Sequence, residues 1–312
     1  MATKIYDAIT YPDGSTETSL KSPVRGIFGF GFNGSSATAS TNLANNVGGM
    51  TTDITGVGTA RFALAAAGYG GDKAIFGYGW VGNPWYNISN LVSNLGIVAT
   101  DSGGVGTARY ALAAAGYGGD KAIFGYGFEV SNFSSITNLV TNTGVVATDT
   151  AGVGTAREYP SAAGYGGDKA IFGYGDISGP TYVSITNLVS NTGVVSSDVT
   201  GVGTSRSRGA AATYGGDKAI FGFGYNGSYL SLTNLVTNTG VVSTDIATSA
   251  MTRAGLAASG YGGDKVVFAY GEIDASSITN ARNLVSNTGV VIGDTWGIGS
   301  PKRLLAAASF SS

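Results

Sequence analysis

Short apolar runs of strand length, separated by glycine-rich turns, recur along this chain, and no stretch sustains helical spacing. The fullest copy runs TARYALAAAGYGGDKAIFGYG from Thr107, then a variable stretch, then SITNLVTNTGVVATDTAGVGTA up to Ala156. Each copy predicts four strands: LAAAGY, KAIFGYG, ITNLVS and GVVATD. The first turn, GYGGDK, pairs two glycines that permit positive φ, and the turn between the third and fourth strands, SNTG, uses Asn and Gly. KAIFGYG does not alternate polar with apolar, as expected of a strand buried on both faces. Simple alternation sets Ala, Phe and Tyr on one face and Ile and the glycines on the other. Stacked face to face, rings of one copy would fill the space over glycines of the next.

The copies repeat about every 48 residues. The aspartate of GDK stands at Asp72, Asp120, Asp168, Asp217 and Asp264, and GIFGFG from Gly26 to Gly31 is a sixth second strand without GDK. The asparagine of TNLV occurs as Asn42, Asn90, Asn138, Asn187, Asn234 and Asn283. A period of this length with four short strands predicts an all-β fold, a single six-bladed β-propeller of four antiparallel strands per blade over 23–312. The chain enters the repeat at a second strand and leaves it after a first strand, LLAAASFSS. The two ends are therefore predicted to pair and close the last blade, removing an open sheet edge. Residues 1–22 fall outside the repeat as an N-terminal arm; KIYDAITY, a PDG turn and STETSL could form a hairpin.

Glycine supplies 52 of 312 residues but is periodic and interleaved with Phe, Tyr, Ile and Val, which argues for a packed fold rather than a disordered one. The net charge of −2 offers no electrostatic case for nucleic acid or an anionic membrane. No apolar run approaches the roughly 20 residues of a membrane-spanning helix, and no signal peptide is read at the start. The chain has neither Cys nor His, so a Ser-His-Asp triad, a thiol nucleophile and the usual zinc sites are excluded. No catalytic residue, cofactor or metal is expected, although a pair of carboxylates brought together in space would still permit glycoside hydrolysis.

One acid and one base recur at fixed spacing. Asp53, Asp101, Asp149, Asp198, Asp245 and Asp294 precede Arg61, Arg109, Arg157, Arg206, Arg253 and Arg303 by eight residues, nine in the last copy. They are expected to form structural Asp–Arg pairs, with a ligand-binding ring of charges as the alternative. Function is sought where the copies differ. The loop between the second and third strands changes in every copy, and so do the residues just after each arginine. In a four-stranded antiparallel blade both elements fall at one end, while GGDK and SNTG fall at the other. The variable end carries Trp80, Trp85, Tyr86, Phe128, Phe133, Tyr182, Tyr225 and Tyr229, a candidate recognition face for protein or sugar.

The glycine-ended aromatic second strand, the variable loop and the closing loop that runs into arginine resemble kelch-like β-propellers. The chain departs from kelch in ending that strand GYG rather than with a Gly-Gly doublet, and in lacking the downstream Trp. The wording GYGGDKAIFGYG, TNLVSNTGVVATDT and GVGTAR also resembles repeat proteins of tailed bacteriophages. That resemblance covers about 23–312. It implies a non-enzymatic virion structural protein of the tail, baseplate or capsid, whose partners are other virion proteins or host surface glycan. A lectin-like carbohydrate-binding propeller, secreted or at a cell surface, is the alternative.

Overall fold

The computed structural model describes Ile9–Thr10, Thr16–Glu17, 24–83 and 85–311. Among the described residues every regular element is a strand, and no helix is long and apolar enough to cross a membrane. In the N-terminal arm β1 (Ile9–Thr10) pairs antiparallel with β2 (Thr16–Glu17); the rest of the expected hairpin lies outside the described residues.

The repeats follow as small antiparallel sheets. β3 (Val24–Gly29) and β4 (Thr41–Ala44) come first. Then come β5 (Ala65–Tyr69), β6 (Lys73–Trp80) and β7 (Trp85–Val92), and β8 (Ala113–Tyr117), β9 (Lys121–Phe128) and β10 (Phe133–Val140). The next sheet holds β11 (Ser161–Tyr165), β12 (Lys169–Asp176) and β13 (Tyr182–Val189). After it come β14 (Ala210–Tyr214), β15 (Lys218–Tyr225), β16 (Tyr229–Val236) and β17 (Ile246–Ala247). The last full copy gives β18 (Ala257–Tyr261), β19 (Lys265–Ala269), β20 (Ala281–Val285) and β21 (Thr295–Trp296). The C-terminal β22 (Ala306–Ser311) pairs with β3, from Ala306 opposite Gly29 to Ser311 opposite Val24. The two ends of the repeat thus share one sheet, as the strand phase predicts.

The alanine-rich first strands lie side by side. β5 touches β8, and the contacts continue through β11, β14, β18 and β22 back to β5. Just before these strands the backbone forms a closed cycle of hydrogen bonds. Ala111 N–H donates to Ala63 O, Tyr159 to Ala111, Arg208 to Tyr159, Gly255 to Arg208, Leu304 to Gly255 and Ala63 to Leu304, at 2.6–3.3 Å. All six residues have positive φ, between 48° and 61°.

Two expectations are corrected. The fourth strand is not continuous: it is two residues long in β17 and β21, and elsewhere it reduces to isolated bridges such as Val92 to Val98 and Ser89 to Ser102. The cause is the repeated asparagine. The Asn90 side-chain amide donates to Ala99 O at 3.0 Å, taking a carbonyl that a ladder partner would otherwise use, and Asn138 does the same to Ala147 O. The alternation in KAIFGYG also breaks at its tyrosine. Tyr78, Tyr126 and Tyr174 sit in bulges at φ 64°. The bulge swings each ring to the isoleucine's face rather than the phenylalanine's, so Ile123 and Tyr126 pack against Ala170 and Phe172 of the next sheet.

The seams between sheets are therefore aromatic. Edge-to-face pairs at 5.1–5.2 Å join Phe30 to Phe76, Tyr78 to Phe124, Tyr126 to Phe172, Tyr174 to Phe221 and Phe223 to Phe268. A tilted pair, Tyr270 with Phe28 at 5.9 Å, joins the last full copy to the first. Rings do cover glycines across the seams, but of the preceding sheet rather than the next: a Cβ on Gly125 would lie 2.8 Å from Phe172 Cζ. Gly125→Ala should therefore lower stability by about 1–3 kcal/mol through overpacking. Calorimetric melting checks this, and an unchanged melting temperature would mean that the seam is looser than described.

Candidate functional site

The repeated charges build an internal network, with partners that sequence spacing did not identify. Arg109 is fully buried. Its Nε donates to Tyr126 O at 2.8 Å, Nη1 to Thr107 O at 3.1 Å and Nη2 to Asn138 Oδ1 at 2.7 Å, and the guanidinium lies 4.4 Å over the Tyr78 ring. Asn138 Nδ2 donates to Asp149 Oδ1 at 2.9 Å, and Asp149 Oδ2 accepts from Thr107 N–H and Oγ1 at 3.0 and 2.7 Å. Asp149 therefore belongs with Arg109 of the preceding copy, not with Arg157. By the same pattern Asp101 serves Arg61, Asp198 serves Arg157, Asp245 serves Arg206 and Asp294 serves Arg253. Direct ion-pair distances occur at Arg61–Asp101 (3.8 Å) and Arg253–Asp294 (3.3 Å), and the buried asparagine bridges the groups in every case. Gly106 is needed here, because at φ 75° a Cβ would fall 2.5 Å from both Asn138 Nδ2 and Asp149 Oδ1.

The last copy is corrected twice. Asp53 pairs with Lys302, not with Arg61. Lys302 Nζ is 3.4 Å from Asp53 and donates to Asn42 Oδ1 at 2.7 Å, so this buried lysine takes the arginine's place. GSPK at 299–302 aligns with GTAR, which explains the spacing of nine. Arg303 instead occupies the variable position after the base, pairs with Glu272 and lies 5.3 Å over the Phe32 ring.

The two ends of the sheets are chemically different. At one end, Asn142, Asn191 and Asn238 donate to Asp120, Asp168 and Asp217 at 3.0–3.1 Å, tying the second turn of each sheet to its first. Lys73, Lys121 and Lys169 line an open cavity of about 240 Å³ there, each paired with its neighbouring aspartate. At the other end, single bridges join the residue after each base to the end of a second strand: Phe62 to Trp80, Tyr110 to Phe128, Glu158 to Asp176, Ser207 to Tyr225, Ala254 to Glu272 and Arg303 to Phe32. The residue after the base differs in every copy, and no two copies carry the same pair.

All eight aromatic candidates are half-buried and none stands free. Trp80 packs between Phe62 (4.9 Å) and Tyr110 (5.5 Å, stacked), and Trp85 contacts Tyr110 and Phe128 at 5.4 and 5.9 Å. Phe128 meets Phe133, and Tyr225 meets both Tyr182 and Tyr229. Tyr86 lies beside Trp85 at the start of β7 without an aromatic partner among these pairs. Sequence reasoning missed Phe32, Phe62, Tyr110 and Tyr159, which join Trp80, Trp85, Phe128 and Phe133 into one belt, while Tyr182, Tyr225 and Tyr229 form a separate group. The varying residue after each arginine was the signal that could have found Phe62 and Tyr110.

The belt ends at a charged group that the sequence did not assemble. Arg208 lies 5.0 Å over the Tyr159 ring and 3.5 Å from the buried Glu272, which also holds Arg303. Burial, reinforced by Asp176 and opposed by Arg208, pushes the Glu158 carboxyl up to about 7, and burial also raises Asp176. Glu158 Oε2, Arg303 Nε and Trp80 Nε1 are buried without a hydrogen-bond partner. Among the described residues no three carboxylates are grouped to hold a metal. In comparisons with known proteins, no family model matches this chain and no curated protein matches it.

Proposed function

We propose that this chain is a closed six-bladed β-propeller acting as a non-enzymatic recognition module of a tailed-bacteriophage virion. The six sheets are its blades, and the hydrogen-bond cycle from Ala63 round to Leu304 surrounds its axis. The observation that carries the recognition reading is the contrast between the two ends. One end repeats the same Asp–Lys–Asn chemistry, whereas the other varies at every copy and concentrates half-exposed rings, the residue types that dominate binding energy. The virion assignment rests on the phage-like repeat wording.

Mass spectrometry of virions from the source should find this chain as a stoichiometric component. A virion carrying Trp85→Ala should lose adsorption or assembly at least tenfold, since truncating an aromatic anchor removes about 2 kcal/mol or more of binding. Melting of the purified variant separates this from unfolding. Absence from virions would remove the virion assignment, and full activity of the variant would move recognition off this face.

A hydrolytic reading has one observation in its favour: Glu158 is poised near neutrality beside Asp176, as a general acid would be. Release of reducing sugar that is lost in Glu158→Gln would favour it over pure binding.

A further inference from the structure

Only two of the six residues in the axial hydrogen-bond cycle carry functional side chains. They are neighbours in the cycle, Tyr159 and Arg208, and the others are Ala63, Ala111, Gly255 and Leu304. Beside them opens a cavity of about 70 Å³, walled by alanine, leucine, glycine and proline, in which Tyr159 and Arg208 supply the only polar side chains. At about 30 Å³ per water-sized group, the cavity has room for roughly two such groups. Its walls suit carbon and its single cation suits an oxygen.

The surroundings select further. Arg208 makes one long bond, 3.5 Å to Glu272, which leaves most of its donors open, and its side chain is 39% exposed. The Tyr159 ring, 5.0 Å from the guanidinium carbon, holds the cation at the cavity. Around it stand three carboxylates, Glu158, Asp176 and Glu272, against two guanidiniums, Arg208 and Arg303. Half-buried Tyr110 and Tyr182 flank the group. An anionic ligand would add a fourth negative charge to this group, and a cationic one would face Arg208 directly. A neutral polyol meets neither penalty, because each hydroxyl can both donate to a carboxylate and accept from a guanidinium.

We infer that this mouth binds a neutral hexopyranose unit, its hydroxymethyl group in the cavity against Arg208 and its ring hydroxyls shared between Arg208 and Glu158. The inference rests on the recognition reading above and names its ligand. The closing test is a printed array of oligosaccharides ending in neutral hexoses, pentopyranoses or uronic acids, probed with the labelled full chain. Neutral hexoses should be retained. Pentopyranoses, which lack the hydroxymethyl group, should bind at least about tenfold more weakly, as expected for a missing group in a shaped pocket. Arg208→Gln should lose hexose binding by a similar factor with melting unchanged, and Arg208→Lys should restore only part of it. If Arg208→Gln fails to fold, the comparison of the three sugar classes decides alone. Preference for uronic acids overturns the neutral class, and equal binding of pentopyranoses overturns the role of the cavity. Binding of no glycan, while Trp85→Ala still abolishes adsorption, overturns the saccharide and leaves a protein-recognition face. If Trp85→Ala is silent as well, the recognition reading itself has failed.

Discussion

A chain ending at Leu305, without β22, should no longer remain a stable monomer. The deletion strips β3 of a six-residue antiparallel partner along Val24–Gly29 and exposes a row of unpaired N–H and C=O groups. It also removes Ala306, Ala308 and Phe310, which are 3–5% exposed and packed in the cluster shared by β3, β5 and β6. Loss of one buried phenylalanine ring alone costs about 3–5 kcal/mol, comparable with the whole stability of many domains. Light scattering after size exclusion should show oligomers or aggregate, and any remaining monomer should melt far below the full chain. A synthetic peptide of the missing sequence should partly reverse both effects by re-pairing with β3. A truncated protein that stays monomeric with unchanged melting would show that the pairing of the two ends does not hold the fold together.

That pairing was legible because strand phase is a one-dimensional property. Counting where the chain enters and leaves its repeat is enough to predict that β22 completes the sheet of β3 and β4. The seams were half legible: rings over glycines follow from stacking copies, but not which neighbour they cover, and the bulge that turns Tyr126 onto the other face depends on a backbone state at φ 64° that alternation does not encode. The charge partners were misread for a similar reason. Eight residues separate Asp149 from Arg157 along the chain, yet the loop carries Asp149 back onto Thr107 and Asn138, so the nearer base in space is Arg109. Lys302 escaped notice because it changes residue type while keeping its place. Of the candidate site, the individual rings were legible as variable aromatic positions. The group of Glu158, Tyr159, Arg208 and Glu272 was not, because it draws on three copies, which only the hydrogen-bond cycle through Tyr159, Arg208 and Gly255 and the bridge from Ala254 to Glu272 bring together.

The corrected pairing makes the second large effect specific. Arg109→Leu should destabilise the protein by about 3–5 kcal/mol, as expected when one partner of a buried polar network is removed. It strands Asn138 Oδ1 and the carbonyls of Tyr126 and Thr107, and it uncovers the Tyr78 ring. Asp149→Ala should cost about 1–3 kcal/mol, because its carboxylate is partly solvated and loses only bonds to Thr107 and Asn138. A double-mutant cycle decides the partner. Asp149 and Arg109 should couple by about 0.5–3 kcal/mol, whereas Asp149 and Arg157 should be additive. Acid provides an independent check. Burial raises the Asp149 carboxyl, but bonds from Thr107 and Asn138 and the charge of Arg109 outweigh it, so the folded-state value is lowered. Asp101, Asp198 and Asp245 are lowered in the same way, and Asp53 reaches about 2. A carboxyl lowered on folding stabilises the native state fully above its unfolded value near 3.8, and that contribution disappears as pH falls through the folded value. The melting temperature should therefore rise from pH 7 to about pH 4.5, as Glu158, raised on folding, takes up its proton, and then drop steeply from about pH 4 towards pH 2, with a shallower acid drop in Asp53→Asn, which has one lowered carboxyl fewer. Coupling of Asp149 to Arg157 rather than to Arg109, or a melting temperature indifferent to acid, would mean that these aspartates are not held by the network as described.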